Sequence, residues 1–481
     1  MKFLRALFVV ALALAFVVPA YAETQNVKVS GSIDAYAFYR SNWDLRDNND
    51  IGVAGVGTAA AGYSHAAGGD ANFKSEGDEY FRTNTQIEVS ADLTDNVSTV
   101  INIVNQRDWN ADLYQDPQDG GATSVANQGA EFDIVLDLAY VQMKEIFYSP
   151  LTLTIGRQDI WFGRGMVIGN NNTVWDTQAS VQANEYSVTT AFDAVRATLD
   201  FNPWTLDFVY SKIDEDGNNP EDDIDLYVAN VNYKFAEYNA VAEGYYVGEV
   251  DRGTLDPTAT VSQESNNTHT LGGRVQFDPI SQITLGGELA YQFGNFRAAI
   301  ANPDRDRGAW MVDVFGTYRW DYTWKPEVTV EYVHFSGEDD LGANTTDYNA
   351  WNGLYRGKFW TAYGDFREFV YGTSDTVDQP ATTNSQFVQL KGALKPLEDL
   401  LLEGMFTYFW TDEDVHNTAG VQTSAVRSDE IGWEIDFQAT YDYTEDVSFG
   451  VLAGWFKPGD FYSGPDDDNA STVVSSVKVT F

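Results

Sequence analysis

The chain has 481 residues, no cysteine, 29 basic against 72 acidic side chains and a formal charge of −43. Disulfides and cysteine-ligated metals or clusters are excluded, and the charge argues against nucleic acid and anionic inner-leaflet surfaces as partners. Aromatic residues make up 14% of the chain, with 40 Gly and 13 Pro, a balance that favours sheet over the disorder high charge otherwise implies.

Residues 1–22 read as a secretory signal. Lys2 and Arg5 form its charged start, Leu7 to Val18 is an apolar run too short for a membrane span, and Ala20-Tyr21-Ala22 supplies a small-x-small cleavage site. Losing Lys2 and Arg5 takes the charge from −43 to −45 and leaves one mature domain, 23–481. No later stretch approaches the roughly 18 unbroken apolar residues of a transmembrane helix. If the exported chain enters a membrane, it does so as strands.

Alternation begins at once. From Val27 to Arg40 one face carries Val, Ile and Ala, and the other Lys28, Ser30, Ser32, Asp34, Tyr36, Phe38 and Arg40. Tyr80 to Ala91 places Phe81, Ile87 and Val89 opposite Arg82, Asn84, Gln86 and Glu88, and Asp92 to Asn96 turns the chain. The rhythm persists to the end: strand, long polar loop, strand, short turn. Long loops fall at 41–78, 110–128, 160–187, 214–223, 251–267, 296–308, 337–383, 412–428 and 458–470. This predicts an all-β fold, a transmembrane antiparallel up-and-down β-barrel of about 18 strands with short periplasmic turns and long extracellular loops. Trp204, Trp320, Trp324, Trp410 and Trp455 near strand ends suit membrane interfaces. The barrel would sit among the lipid and lipopolysaccharide of a Gram-negative outer membrane. The final strand, Ser471 to Phe481, ends on an aromatic that resembles the sorting signal read by the barrel assembly machinery.

Leu151 to Asp176 stands out. Leu151, Leu153 and Ile155 alternate with threonines, and a Gly/Asn loop with Arg157, Arg164 and three aromatics follows. Strand, basic loop, strand is how a membrane barrel places an inward-folded loop in its own bore. Arg157, Arg164 and Arg196 would gather near a constriction, where an arginine fork suits carboxylates and sulfates. Strict alternation puts Arg157 on the lipid face with Ile155; either a bulge at Gly156 turns it inward or the strand already stands above the hydrocarbon there. Arg164 either contacts solute or anchors the loop to lumenal carboxylates. Further pore candidates by alternation are Arg82, Lys28, Arg40, Arg274, Glu88, Asp200 and Glu288.

Acidic clusters lie in the outer loops, and Asp214, Asp216, Asp222 and Asp223 are weak Ca²⁺ candidates; a solvated acidic surface is the plainer reading. No cofactor is expected. His65, His269, His334 and His416 are scattered and form no HExxH or Gly-x-Ser-x-Gly motif, so no enzyme is expected.

Ile155-Gly156-Arg157-Gln158, Phe162-Gly163-Arg164-Gly165, Ile168-Gly169, Trp175 and Phe192-Asp193-Ala194-Val195-Arg196 resemble the alginate-export family of outer-membrane porins. The match is clearest from about 130 to 200; Arg82 and Phe481 agree more loosely. The resemblance implies a monomeric, roughly 18-stranded barrel passing a polysaccharide or small hydrophilic solutes through a charged bore, with Arg157 and Arg196 at the family's basic positions. Arg164 departs from the acidic residue the family usually has beside the glycines. The alternative is a surface scaffold or adhesin with cation-binding acidic loops.

Overall fold

A computed structural model describes residues 25–42, 45, 78–109, 134–171, 186–215, 223–252, 266–296, 305–338, 346–364, 383–413, 428–461 and 468–481. The proposed signal, Trp175, His65, His416, Asp216 and Asp222 lie outside them. The described strands are β1 (Gln25–Ser41), β2 (Asp78–Thr94), β3 (Val97–Asp108), β4 (Val135–Met143), β5 (Leu151–Gln158), β6 (Phe192–Asp200), β7 (Trp204–Asp214), β8 (Ile224–Lys234), β9 (Val241–Asp251) and β10 (Asn266–Ile280). They continue with β11 (Ile283–Phe296), β12 (Arg305–Arg319), β13 (Glu327–Phe335), β14 (Asp347–Tyr348), β15 (Ser385–Leu397), β16 (Leu400–Trp410), β17 (Glu430–Asp442), β18 (Val447–Pro458) and β19 (Ala470–Thr480).

Each wall strand pairs antiparallel with the next, β13 pairs with β15, and β1 pairs with β19. The sheet is therefore a closed barrel of 18 wall strands. The two-residue β14 stands apart, parallel to β12. Closure matters because a bilayer offers no partner for a free backbone N–H or C=O. At the seam Gly31 N donates to Phe481 O at 2.9 Å and Phe481 N to Gly31 O at 3.0 Å. A Cβ at Gly31 would sit 2.7 Å from the Phe481 ring, so glycine there lets the last side chain lie across the joint.

Period two along the strands sorts the faces. Ile283, Leu285, Leu289, Tyr291 and Phe293 of β11 point outward, while Thr284, Glu288 and Gln292 are buried inside. The short connections share one rim, which carries Trp204 against Tyr233 (4.5 Å), Tyr318 against Trp320 (4.7 Å) and Tyr322 near Trp324. An aromatic belt is what a lipid–water boundary favours.

The interior differs from a uniformly wet bore. Inward positions near the long-loop rim are apolar: Val209, Leu226, Val247, Met311, Val333, Phe387, Phe409 and Phe456 belong to one buried cluster. Ile160, Phe162, Met166, Val167, Ile168, Trp351, Leu354, Tyr355, Trp360 and Tyr363, which come from two connections, complete it. The outer part of the bore is thus packed with chain. The connection at 337–383, read from sequence as an outer loop, sends 346–364 into the barrel, because its aromatics find an apolar wall there.

The outward assignment of Leu289 predicts that Leu289→Arg costs about 2–4 kcal/mol of folding free energy in lipid vesicles. The same change at the lumen-facing Gln438 costs less than about 1 kcal/mol. Urea titration of vesicle-folded variants measures both.

Candidate functional site: two inward loops pinned to the wall

β5 ends at Gln158, whose Nε2 donates to the carbonyls of Gly156 (3.1 Å) and Ala194 (3.0 Å). The next residues are too apolar to remain in solvent, and Ile160, Phe162, Met166, Val167 and Ile168 are all buried. Between them Phe162-Gly163-Arg164-Gly165 makes a tight turn, closed by Gly165 N donating to Phe162 O at 3.1 Å. Gly163 and Gly165 take φ of +60° and +76°, the left-handed region glycine occupies without steric cost. A Cβ on Gly163 would lie 2.7 Å from the Glu288 carboxylate oxygens.

That closeness reflects how the turn is held. Arg164 N donates to Glu288 Oε2 at 2.6 Å and Gly163 N to Glu243 Oε1 at 3.0 Å. Arg274 Nη1 donates to Gly163 O at 2.6 Å. The Arg164 guanidinium forks between Asp313 (Nη1–Oδ2 2.8 Å) and Glu331 (Nη2–Oε1 2.9 Å) and lies 3.9 Å from the Phe315 ring centroid. A loop rooted on β5 is therefore anchored on β9 and β10 through β13, nearly across the ring. Its other limb touches the opposite wall: Asn84 Nδ2 donates to Tyr186 O at 2.8 Å, and Gln106 Nε2 to Ser187 Oγ at 3.0 Å.

The second loop crosses the first. Gly169 N and Asn170 N donate to Tyr355 O (2.8 and 3.0 Å), Tyr355 N to Val167 O (3.0 Å) and Gly357 N to Gly165 O (2.8 Å). Lys358 ion-pairs with Glu331 and lies 3.8 Å from Asp313, and Trp360 Nε1 donates to Glu331 Oε1 at 3.1 Å. Burial depresses the Lys358 ammonium below the usual lysine value, with Glu331 and Asp313 opposing that shift and Arg164 adding to it. Further along, Tyr363 N donates to Glu434 Oε1 (2.6 Å) and Ala362 N to Asp436 Oδ2 (3.2 Å). Tyr355 Oη donates to Glu249 at 2.5 Å.

Of the residues singled out in the sequence, Arg164, Arg274 and Glu288 meet in this cluster. Arg196 is close by. Its guanidinium pairs with Asp207 at 2.8 Å and lies 5.2 Å from the Phe162 ring centroid, with the side chain 28% exposed. Arg157 does not join them. The register through Gly156 is unbroken, so Arg157 keeps the parity of outward Ile155 and pairs with Asp193 at 3.0 Å. Arg40 and Arg82 are buried on β1 and β2, Arg40 beside Phe38 and Tyr80, Arg82 with Nε donating to Asn84. Glu88 is half-buried on β2. Lys28 and Asp200 lie toward the short-turn rim, Asp200 accepting from Asn202 N at 3.0 Å.

Asp223 pairs with Lys212 at 2.5 Å and sits 3.5 Å from Arg252, and exposed Asp214 ends β7. Among the described residues no group of three His, Asp or Glu side chains is placed to hold a metal. Lys358, Trp360 and Tyr355 escaped the sequence reading. Five aromatics in thirteen residues of a polar connection, Trp351 to Tyr363, were the available sign.

A family model described as alginate export matches residues 64–475. The chain belongs to the alginate export family. Among curated proteins nothing matches. Solved structures of similar fold include Acinetobacter baumannii OccAB1 (12% identity, TM-score 0.54, 96% of this chain and 98% of that one). The outer membrane protein OpdK from Pseudomonas aeruginosa (10%, 0.51, 95% and 99%) and a BenF-like porin from Pseudomonas fluorescens Pf-5 (10%, 0.50, 95% and 99%) are also similar. Family and fold are those of outer-membrane transport porins, and the short-turn rim is accordingly the periplasmic one.

Arg164→Ala removes the fork from two buried carboxylates and leaves them Lys358 and the Trp360 N–H, a loss of about 3 kcal/mol. Arg164→Lys does not restore it, because one ammonium cannot reproduce the fork and the stacking on Phe315. Urea unfolding of vesicle-folded protein, with protease cleavage within 159–191 as a local readout, checks both.

Proposed function

We propose that the chain is a passive outer-membrane channel for hydrophilic solutes, acidic sugars and oligosaccharides foremost, with the two inward loops setting its constriction. The observation that carries this reading is the loop pair itself. Segments from two connections are hydrogen-bonded to each other inside the barrel and tied to wall carboxylates, an arrangement that narrows a bore without closing the sheet. Arg196 and Arg274 keep 28% and 21% of their side chains open beside that constriction. Partly solvated guanidinium groups attract carboxylates and sulfates while leaving the exchange fast, as conduction requires. The family description supports an acidic polysaccharide as the upper end of the solute range. Local cations in the bore would offset the repulsion such a solute meets from a chain of charge −43. Export through a cleaved 1–22 signal and assembly through Phe481 belong to the same proposal.

Reconstitution in planar bilayers tests it. Wild type should show discrete ohmic openings in salt alone. Arg196→Glu should shift the reversal potential in a salt gradient toward cation selectivity. A purified, folded barrel that never opens at any voltage contradicts the reading.

A further inference from the structure

We propose that Trp161 is a stacking platform for a pyranose ring in the solute path, an inference that deepens the channel reading and rests on it. Ile160 and Phe162 on either side are 1% and 5% exposed, whereas Trp161 is 50% exposed, although its loop lies inside the barrel. The ring is not loose. A Cβ at Gly165 would fall 2.2 Å from its Cζ2, one at Gly169 2.7 Å from its Cε3 and one at Gly357 2.6 Å from its Cζ3. Three glycines from two different loops thus form the seat for one indole, and Gly165 adopts a φ of +76° to do so.

Although three glycines crowd it, the Trp161 side chain keeps half of its surface open to solvent. Phe359, two residues past Gly357 in the second loop, is also exposed. Burial is the usual end for so large an apolar ring. A large ring held between glycines with half of its surface wet is suited to a partner that is apolar on one face and hydrated at its rim. A pyranose has that form: its C–H groups rest on the electron-rich π face, while hydroxyls or a carboxylate remain with water and the polar wall. Glycine seating also removes the entropic cost of ordering the side chain at each encounter.

The test measures binding of a short neutral glucan and a short uronate oligomer to the folded, detergent-solubilised barrel by saturation-transfer NMR, with benzoate as the competing class. Trp161→Ala should weaken sugar binding about tenfold, Trp161→Phe should retain most of it, and Gly357→Ala should weaken it by tilting an indole that is still present. Heat-modifiable migration confirms that each variant is folded, and Trp161→Phe serves if Trp161→Ala is not. Equal sugar binding by wild type and all variants, no sugar binding by wild type, or selective binding of benzoate overturns the platform. Conduction of salt without sugar binding defeats the platform alone; sugar binding by a barrel that never conducts defeats the channel reading alone.

Discussion

A wall carboxylate accepting backbone N–H groups from a loop inside the barrel is the contact on which this architecture depends. It recurs at Glu243, Glu288, Glu434 and Asp436, and at each the donor belongs to a segment that could otherwise project outward as an ordinary surface loop. Charged acceptors make shorter and stronger hydrogen bonds than neutral ones, and a bore shielded by packed chain raises their value further. The same shielding makes an unmatched carboxylate expensive. Arg164 and Lys358 answer that cost around Asp313 and Glu331, so loop position and wall charge are mutually required.

The outer part of the lumen joins two environments. Leu226, Val247, Met311 and Phe387 would be poor lining for a water channel, but they suit a wall against which Ile168, Tyr355 and Trp360 pack. Below them the inward positions turn polar, as Asn230 and Asn232 follow Leu226 and Val228 along β8. One strand thus lines dry packing against the loops and then a polar stretch of bore, and the change in side-chain character marks the depth of the loop packing. Glu243, Glu249, Glu288, Asp313, Glu331, Glu434 and Asp436 are the inner acids engaged in these loop contacts.

The wall was legible in the sequence because period two repeats in every strand, and the closed sheet follows from having no tolerated edge in lipid. The β5–β6 connection was legible too, as a Gly/Asn loop with arginines and aromatics set between two alternating strands; the burial of Ile160, Met166 and Ile168 shows why it stays inside. The 346–364 segment was not, because its Asn, Gly and Thr content reads as surface and its aromatics lack any period. The partners of Arg164 were equally hidden. Asp313 and Glu331 lie 149 and 167 residues away in sequence, and only the ring geometry brings them together. Arg157 shows the converse: its expected place at the constriction needs a bulge at Gly156, but the register with Asp193 is unbroken and plain alternation leaves it outward.

The absence of natural cysteine permits a direct test of whether the second loop constricts the solute path. A single Phe359→Cys channel, held open in a planar bilayer, would be exposed to a bulky thiol-reactive reagent. If the loops set the constriction, each modification should appear as a large, stepwise fall in current. An unchanged current after modification confirmed by mass would place the loops outside the path and contradict the account.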